Sequence, residues 1–385
     1  MSEVTFVTEE LLAEARQRAG LDNFGDPRFR EGLEILLASM DDYIEGDHYR
    51  ARHRETILGR LVTRLKIQEA FRQHPEILEQ KIERPMFVTG LPRSGTSALF
   101  NLLNSDPAAR GLLLWEIHHP EPLERLPSME EDPRFQALKQ HMDATRDPEM
   151  DKIHHMAADN PEECCMLQVY SFDGVATGWE YLLEPYHSWF KNHGLGFMYE
   201  EHRNHLKLLQ WQRPGIRWLL KAPAHMWAVD EIVRVFPDAC LVWGHREPVG
   251  VTASICSMTD KMVWNWNFGG ASDQELKVLG PRVMDWYATS LERGLAAREN
   301  IDAERVLDYT FKEFIADPRG VVEKIYRHFD LPMPEATRKA IEAHIANNVK
   351  GKHGVHEYNL EHYGMTEQQV RERYRFYLEG HWLGA

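Results

Sequence analysis

The run Arg84-Pro-Met-Phe-Val-Thr-Gly-Leu-Pro-Arg-Ser-Gly-Thr-Ser97 sets two glycines, an arginine and a cluster of hydroxyls between a short apolar segment and Ala98-Leu-Phe-Asn-Leu-Leu103. Gly90 and Gly95 have the spacing of the nucleotide-binding pattern G-x-x-x-x-G-K-[ST], but Thr96 stands where the lysine would be and Ser97 follows it. Backbone amides at the start of a helix still attract a phosphate. The missing lysine removes the point charge that reaches the outer phosphates of a triphosphate. Arg93, Ser94, Gly95, Thr96 and Ser97 therefore suit a nucleotide whose 5′ end is not a triphosphate. A second cation, Lys221, ends the apolar run of Arg217-Trp-Leu-Leu-Lys-Ala-Pro223, where the proline stops a strand. A third, Arg246, follows Cys240-Leu-Val-Trp-Gly-His245 and precedes a helix opened by Pro248. Open α/β sheets bind ligands at such strand ends.

These side chains need strands to deliver them and helices to receive them. Short apolar runs predict strands over 86–89, 217–220, 240–244 and 305–309, alternating with helical stretches. The fold class expected is α/β, a P-loop-like core with a parallel sheet flanked by helices, plus an N-terminal helical cap and helical insertions. Residues 1–82 carry helical spacing, as at Leu11, Leu12 and Ala15 and again at Leu58, Leu61, Val62 and Leu65, and predict a cap packed on the core. The nucleotide-binding domain is expected over 83–360, with an insertion over about 110–212, and a helical tail over 361–385. In Met262-Val-Trp-Asn-Trp-Asn-Phe268, Trp264, Trp266 and Phe268 alternate ahead of Gly269-Gly270; the pattern fits a lid over an acceptor and a packed strand equally. Asp308-Tyr-Thr-Phe-Lys-Glu-Phe-Ile-Ala-Asp-Pro-Arg319 and the helix after it read as scaffold.

Gly-Leu-Pro-Arg-Ser-Gly-Thr-Ser resembles the 5′-phosphosulfate loop of the sulfotransferases, which use 3′-phosphoadenosine 5′-phosphosulfate (PAPS). The segment from Phe236 to Ser254 is similar to the family's 3′-phosphate element, which implies that Arg246 and Ser254 hold that phosphate. Lys221-Ala-Pro-Ala-His225 resembles the Lys-x-Pro-x-His block of bacterial and carbohydrate-type members, implying a lysine at the leaving phosphate. His154, ahead of Asn160-Pro-Glu-Glu163, resembles the histidine before a Pro-x-Glu element in bacterial members and ranks first as general base. Glu116, placed after the phosphate-loop helix where other branches use an acidic base, ranks second, with His118, His119, His155 and His225 left open. Glu162 and Glu163 either orient a base or open a helix after Pro161. The glycine-rich segment Asn348 to Tyr358 looks like the family's late nucleotide loop, implying contacts from Lys352 and Gly354. The resemblance implies in-line transfer of a sulfuryl group to a hydroxyl of a small, possibly apolar acceptor.

The chain has 385 residues, 43% hydrophobic and 27% charged, with a formal net charge of −15. That charge argues against general nucleic-acid or anionic-membrane binding. No apolar run is long enough to span a membrane and the first residues lack the pattern of a signal peptide, so the expected location is the cytoplasm. The four cysteines, Cys164, Cys165, Cys240 and Cys256, have no C-x-x-C spacing, and the twenty histidines show no H-E-x-x-H. No metal is expected, and a homo-oligomer is left open. Two rival readings remain open: a small-molecule kinase using ATP, weakened by the missing loop lysine, and a non-catalytic nucleotide-binding regulatory protein.

Overall fold

Five strands, β1 (Met86–Gly90), β2 (Ala109–Arg110), β3 (Arg217–Lys221), β4 (Cys240–His245) and β5 (Val306–Thr310), pair in parallel in the order β2-β3-β1-β4-β5. The computed structural model that shows this describes residues 4–121, 128–146, 156–347 and 359–383. Parallel strands buried on both faces read as nearly continuous apolar runs, and every residue of β1 is buried. Alternation sorts them between two cores. Phe87, Trp218, Leu220, Leu241 and Trp243 enter the larger core. Met86, Val88, Leu219, Cys240, Val242 and Leu307 enter the other, together with Leu99, Phe100 and Leu103 of helix Thr96–Leu103. The expected strands are present to within a residue at each end. β2 escaped notice because a two-residue strand has no period to detect.

The chain leaves β1 for one side of the sheet, reaching β2 and β3, and returns to its other side through β4 and β5. β1 is thus the point where the strand order switches, and the crevice beyond its carboxyl end is where ligands bind in such sheets. Register aligns what emerges there: Val88 is opposite Lys221, Gly90 opposite Gly244, and His245 opposite Thr310.

Helices Thr8–Ala19, Phe29–Tyr43 and Asp47–Gln73 precede β1. Their Leu11, Leu12, Ala15, Leu33, Leu36, Leu37, Leu58 and Leu61 lie in the same apolar core as Phe87. Arg64 bolts the third of them to the insertion: its buried guanidinium pairs with Glu201, and donates to Tyr170 O at 2.9 Å and Phe24 O at 2.8 Å. On the other side of the sheet, Asp106 accepts from Tyr326 Oη at 2.5 Å, Thr337 Oγ1 at 2.8 Å and Arg217 at 3.2 Å, drawing late helices onto β3. Among the described residues, no helix is long and apolar enough to cross a membrane.

Residues 260–268 correct the expectation of a strand for that segment. They form one π-helical turn, Asp260–Trp264, running into Asn265–Phe268 and ended by Gly269 at φ 78°. The rings of Trp264 and Phe268 pack 5.2 Å apart, so the period that mattered was the helical i, i+4 rather than the alternation of a strand. The turn is anchored by Asn267, whose carbonyl meets His53 Nε2 at 3.0 Å and whose amide donates to Glu180 O at 2.7 Å.

Gly90 is the tightest point of the sheet. It sits at φ 136°, and a Cβ there would lie 2.2 Å from the Gly244 carbonyl oxygen. Gly90→Ala is expected to lower stability by about 2–4 kcal/mol through strain and overpacking, measured by denaturant unfolding. Unchanged stability would contradict the close approach.

Candidate active site

The phosphate loop leaves β1 at Gly90 and enters helix Thr96–Leu103 through Gly95, whose φ of 83° admits a side chain only under strain. The amides of that helix's first turn have no partners within it and carry the positive end of its dipole. Arg93 is exposed and left-handed at φ 68°. Ser97 is exposed and Thr96 buried. Ser94 differs from expectation: it is fully buried and directs its hydroxyl to Leu91 O at 2.6 Å and its amide to the same oxygen at 3.2 Å. It shapes the loop from inside, and the ligand-facing donors that remain are its neighbours.

β3 brings Lys221 to this loop. Two bonds pin the residue after it to β1, Thr89 Oγ1 donating to Ala222 O at 3.0 Å and Ala222 N to Val88 O at 3.2 Å. Lys221 is only 2% exposed, yet its ammonium donates to Ser97 Oγ at 3.2 Å and to Glu163 Oε1 at 2.7 Å. Burial alone would push its pKa down, but the Glu163 and Glu162 carboxylates outweigh burial and hold it above the ordinary lysine value. A protonated amine is thereby kept at the mouth of a phosphate loop. Glu163 itself caps helix Cys164–Leu167, so the Pro-Glu-Glu sequence does open a helix while also supplying the carboxylate that faces Lys221. The sequence offered the glutamate but gave no sign of its partner, which comes from a strand far along the chain.

β4 brings Arg246. Its Nη1 donates to the Arg93 carbonyl at 2.5 Å and its guanidinium lies 3.9 Å from the ring centroid of Phe311. Burial, then the nearby Arg93 charge, work against the Arg246 cation, with Glu247 opposing them. An anion placed between the two arginines would relieve that repulsion. His245, the residue before Arg246, is fixed on both ring nitrogens, by Tyr377 Oη at 3.0 Å and Asp308 Oδ1 at 2.8 Å, and Trp382 stacks against it at 5.6 Å. Asp308 is in turn gripped by Arg298 at 2.7 and 2.8 Å. Ser254 is buried on helix Val249–Thr259, which follows Arg246.

The structure therefore brings Arg93, Ser97, Lys221 and Arg246 to one end of the sheet, with Thr96 and Gly95 beneath them. Glu116 is elsewhere, and its placement corrects the expectation of a base there. It is 2% exposed and both carboxylate oxygens are taken, by Arg110 at 2.9 Å, Arg213 at 2.9 Å on each oxygen and the Leu113 amide at 3.2 Å. Although burial pushes its pKa up, Arg110 and Arg213 hold it below the usual carboxylate range, which makes it a poor proton acceptor. Among the histidines left open, His225 is fully buried, held by Tyr199 Oη at 2.7 Å and pushed down to about 3 by burial, which keeps it neutral. His118 ends helix Leu114–His118 and His119 follows it; burial pushes the His118 pKa down to about 4, opposed by the Glu162 carboxylate that also acts on Lys221. His154, His155, Lys352 and Gly354 lie outside the described residues. Among the described residues, no three His, Cys, Asp or Glu side chains are grouped to hold a metal ion.

A sulfotransferase family model matches residues 85–335, a span that takes in β1, the loop, Lys221, Arg246 and β5. The chain belongs to the sulfotransferase family. Enzymes of this family move a sulfuryl group onto an acceptor. Among solved structures, the sulfotransferase is similar to STF1 of Mycobacterium tuberculosis at 33% identity and TM-score 0.83, covering 97% of this chain and 99% of the other. It is similar also to STF9 of Mycobacterium avium at 27% identity and TM-score 0.86, covering 98% and 97%. Over 161 residues it is 22% identical to the omega-hydroxy-beta-dihydromenaquinone-9 sulfotransferase Stf3 of Mycobacterium bovis, a stretch covering 41% of each chain.

Glu116→Gln in this sulfotransferase is expected to cost about 3 kcal/mol of stability by leaving the buried Arg110 short of a counter-charge, while the folded fraction keeps its ligand affinity. Denaturant unfolding and calorimetric titration check the two halves. Undiminished stability would mean that the carboxylate is not the clamp described.

Proposed function

We propose that the chain transfers a sulfuryl group from PAPS to the hydroxyl of a small acceptor, by in-line displacement. The observation that carries this reading is Lys221, a buried ammonium bonded to Ser97 at the head of a phosphate loop that lacks the triphosphate lysine. In the transfer, the acceptor oxygen forms a bond to sulfur as the bond from sulfur to the 5′-phosphate oxygen breaks. Charge then develops on the departing phosphate. Lys221, Arg93 and the first-turn amides of helix Thr96–Leu103 are placed to offset it, and preorganised donors of this kind dominate such chemistry. Arg246 and Ser254, with Lys352 and Gly354, are the groups proposed for the 3′-phosphate.

The acceptor's proton needs a base. His154 remains a candidate by resemblance, and the geometry adds Glu163, whose Oε1 lies 2.7 Å from Lys221 Nζ. A carboxylate at that distance from the leaving-group cation is within reach of an attacking hydroxyl on the same sulfur. It either accepts the proton itself or aligns the group that does. An apolar alcohol fits best as acceptor. Stf3, similar over 41% of this chain, is named for a hydroxylated menaquinone, an alcohol on an apolar molecule.

Binding of 3′-phosphoadenosine 5′-phosphate, the desulfated product, measured by calorimetry beside ATP, ADP and adenosine 5′-monophosphate, is the test of the donor. Micromolar affinity that depends on the 3′-phosphate and collapses in Arg246→Ala is expected; a preference for ATP would return the protein to the kinase reading. Turnover is then followed with radiolabelled PAPS and a panel of aliphatic and aromatic alcohols. Lys221→Ala and Glu163→Gln should each slow transfer by roughly 100-fold or more with little loss of product binding. Wild-type turnover in Glu163→Gln would leave proton removal to His154.

A further inference from the structure

Phe311 connects the two phosphate-binding elements, and the inference drawn from it rests on the donor reading above. β5 ends at Thr310 in register with His245 of β4, so Phe311 emerges directly beside Arg246. β4 is in turn paired with β1, Gly244 opposite Gly90, which places the phosphate loop on the neighbouring strand end. Three adjacent strands thus release, at one level, the loop, the arginine and the phenylalanine. Phe311 opens helix Phe311–Ala316, and a capping box between Thr310 and Glu313 fixes its first turn. Lys324 adds a further hold, donating to Asp308 O at 3.0 Å and Glu313 Oε1 at 3.1 Å. The backbone that carries the ring has little freedom.

The ring uses that rigidity on both sides. The Arg246 guanidinium lies over it, 3.9 Å from its centroid. Its edge reaches the loop so closely that a Cβ on Gly95 would come within 3.0 Å of Phe311 Cδ2. Arg246 closes the triangle by donating to the carbonyl of Arg93, a loop residue in the left-handed region. A single aromatic side chain therefore touches the glycine that ends the 5′-phosphate loop and the cation assigned to the 3′-phosphate.

We propose that Phe311 is a positioning residue which fixes Arg246 at a set distance from the phosphate loop, so that the protein selects nucleotides carrying both a 5′- and a 3′-phosphate over those with the 5′-phosphate alone. An arginine at a strand end is long and rotates freely, and ordering it when the ligand arrives weakens binding. Stacking on a ring that is itself immobilised orders the guanidinium beforehand, at a site where cation–π attraction is strengthened by partial burial. The loop feels the same ring through Gly95, so neither phosphate site can shift without the other.

The experiment uses the full chain and measures, by calorimetry, the affinity of wild type, Phe311→Leu and Phe311→Tyr for 3′-phosphoadenosine 5′-phosphate and for adenosine 5′-monophosphate. Phe311→Leu should reduce the preference for the 3′-phosphorylated nucleotide by about tenfold, chiefly on its side of the ratio. Phe311→Tyr, which keeps the ring, should restore the preference. Phe311→Met fills the same space without a π face and takes the place of leucine if that variant does not fold. A ratio unchanged in the leucine or methionine variant, or an equal loss for both nucleotides, overturns the positioning role while leaving the donor reading intact. A wild-type protein indifferent to the 3′-phosphate overturns the donor reading itself, and this inference with it.

Discussion

The close approach of β1 and β4 at Gly90 and Gly244 sets the geometry of everything at the carboxyl edge of the sheet. A carbonyl oxygen of β4 occupies the space where a side chain on Gly90 would be, and the hydroxyl of Tyr309 on β5 crowds Gly244 in the same way. With no side chains between them, the strand ends stay in contact up to the point where the chain turns away. Only then do the phosphate loop, Arg246 and Phe311 diverge, each displaced from the next by a single strand spacing. A ligand that bridges two of these strands meets donors whose separation is a property of the backbone pairing.

The opposite neighbour of β1 contributes charge under different constraints. Lys221 would be expensive to bury alone, and removing it from water is tolerated because Glu163 lies against it and Ser97 accepts from it. The pair keeps the amine protonated and holds it at the loop before any ligand arrives. Any anion drawn to the loop would compete with that carboxylate for the lysine. The ammonium is thus balanced by side chains of the protein itself.

Much of this is legible in the sequence. The glycine spacing and missing lysine of the loop, the proline after Lys221 and the arginine at the end of an apolar run each leave a local mark, because strand ends and tight turns restrict residue type at fixed positions. What failed to show were relations between distant segments. Glu116 has the neighbourhood of a general base in one dimension; Arg213, nearly a hundred residues further on, turns it into half of a clamp. Phe311 reads as core filler until strand register sets it beside Arg246. Trp264 and Phe268 obey two periods at once, and the helix that settles it is tied through Asn267 to His53 and Glu180 from other parts of the chain.

The grip on His245 has a consequence for how the protein is made. Tyr377 and Trp382, which hold that histidine with Asp308, are among the last described residues, whereas the phosphate loop is synthesised within the first hundred. A chain emerging from the ribosome can complete β1 and its loop long before the partners of His245 exist. The carboxyl edge of the sheet is therefore finished from opposite ends at different times, and a stalled or prematurely terminated product would carry the loop while His245 stays unbraced. Such a product would expose the loop's first-turn amides without the braced strand end beside them.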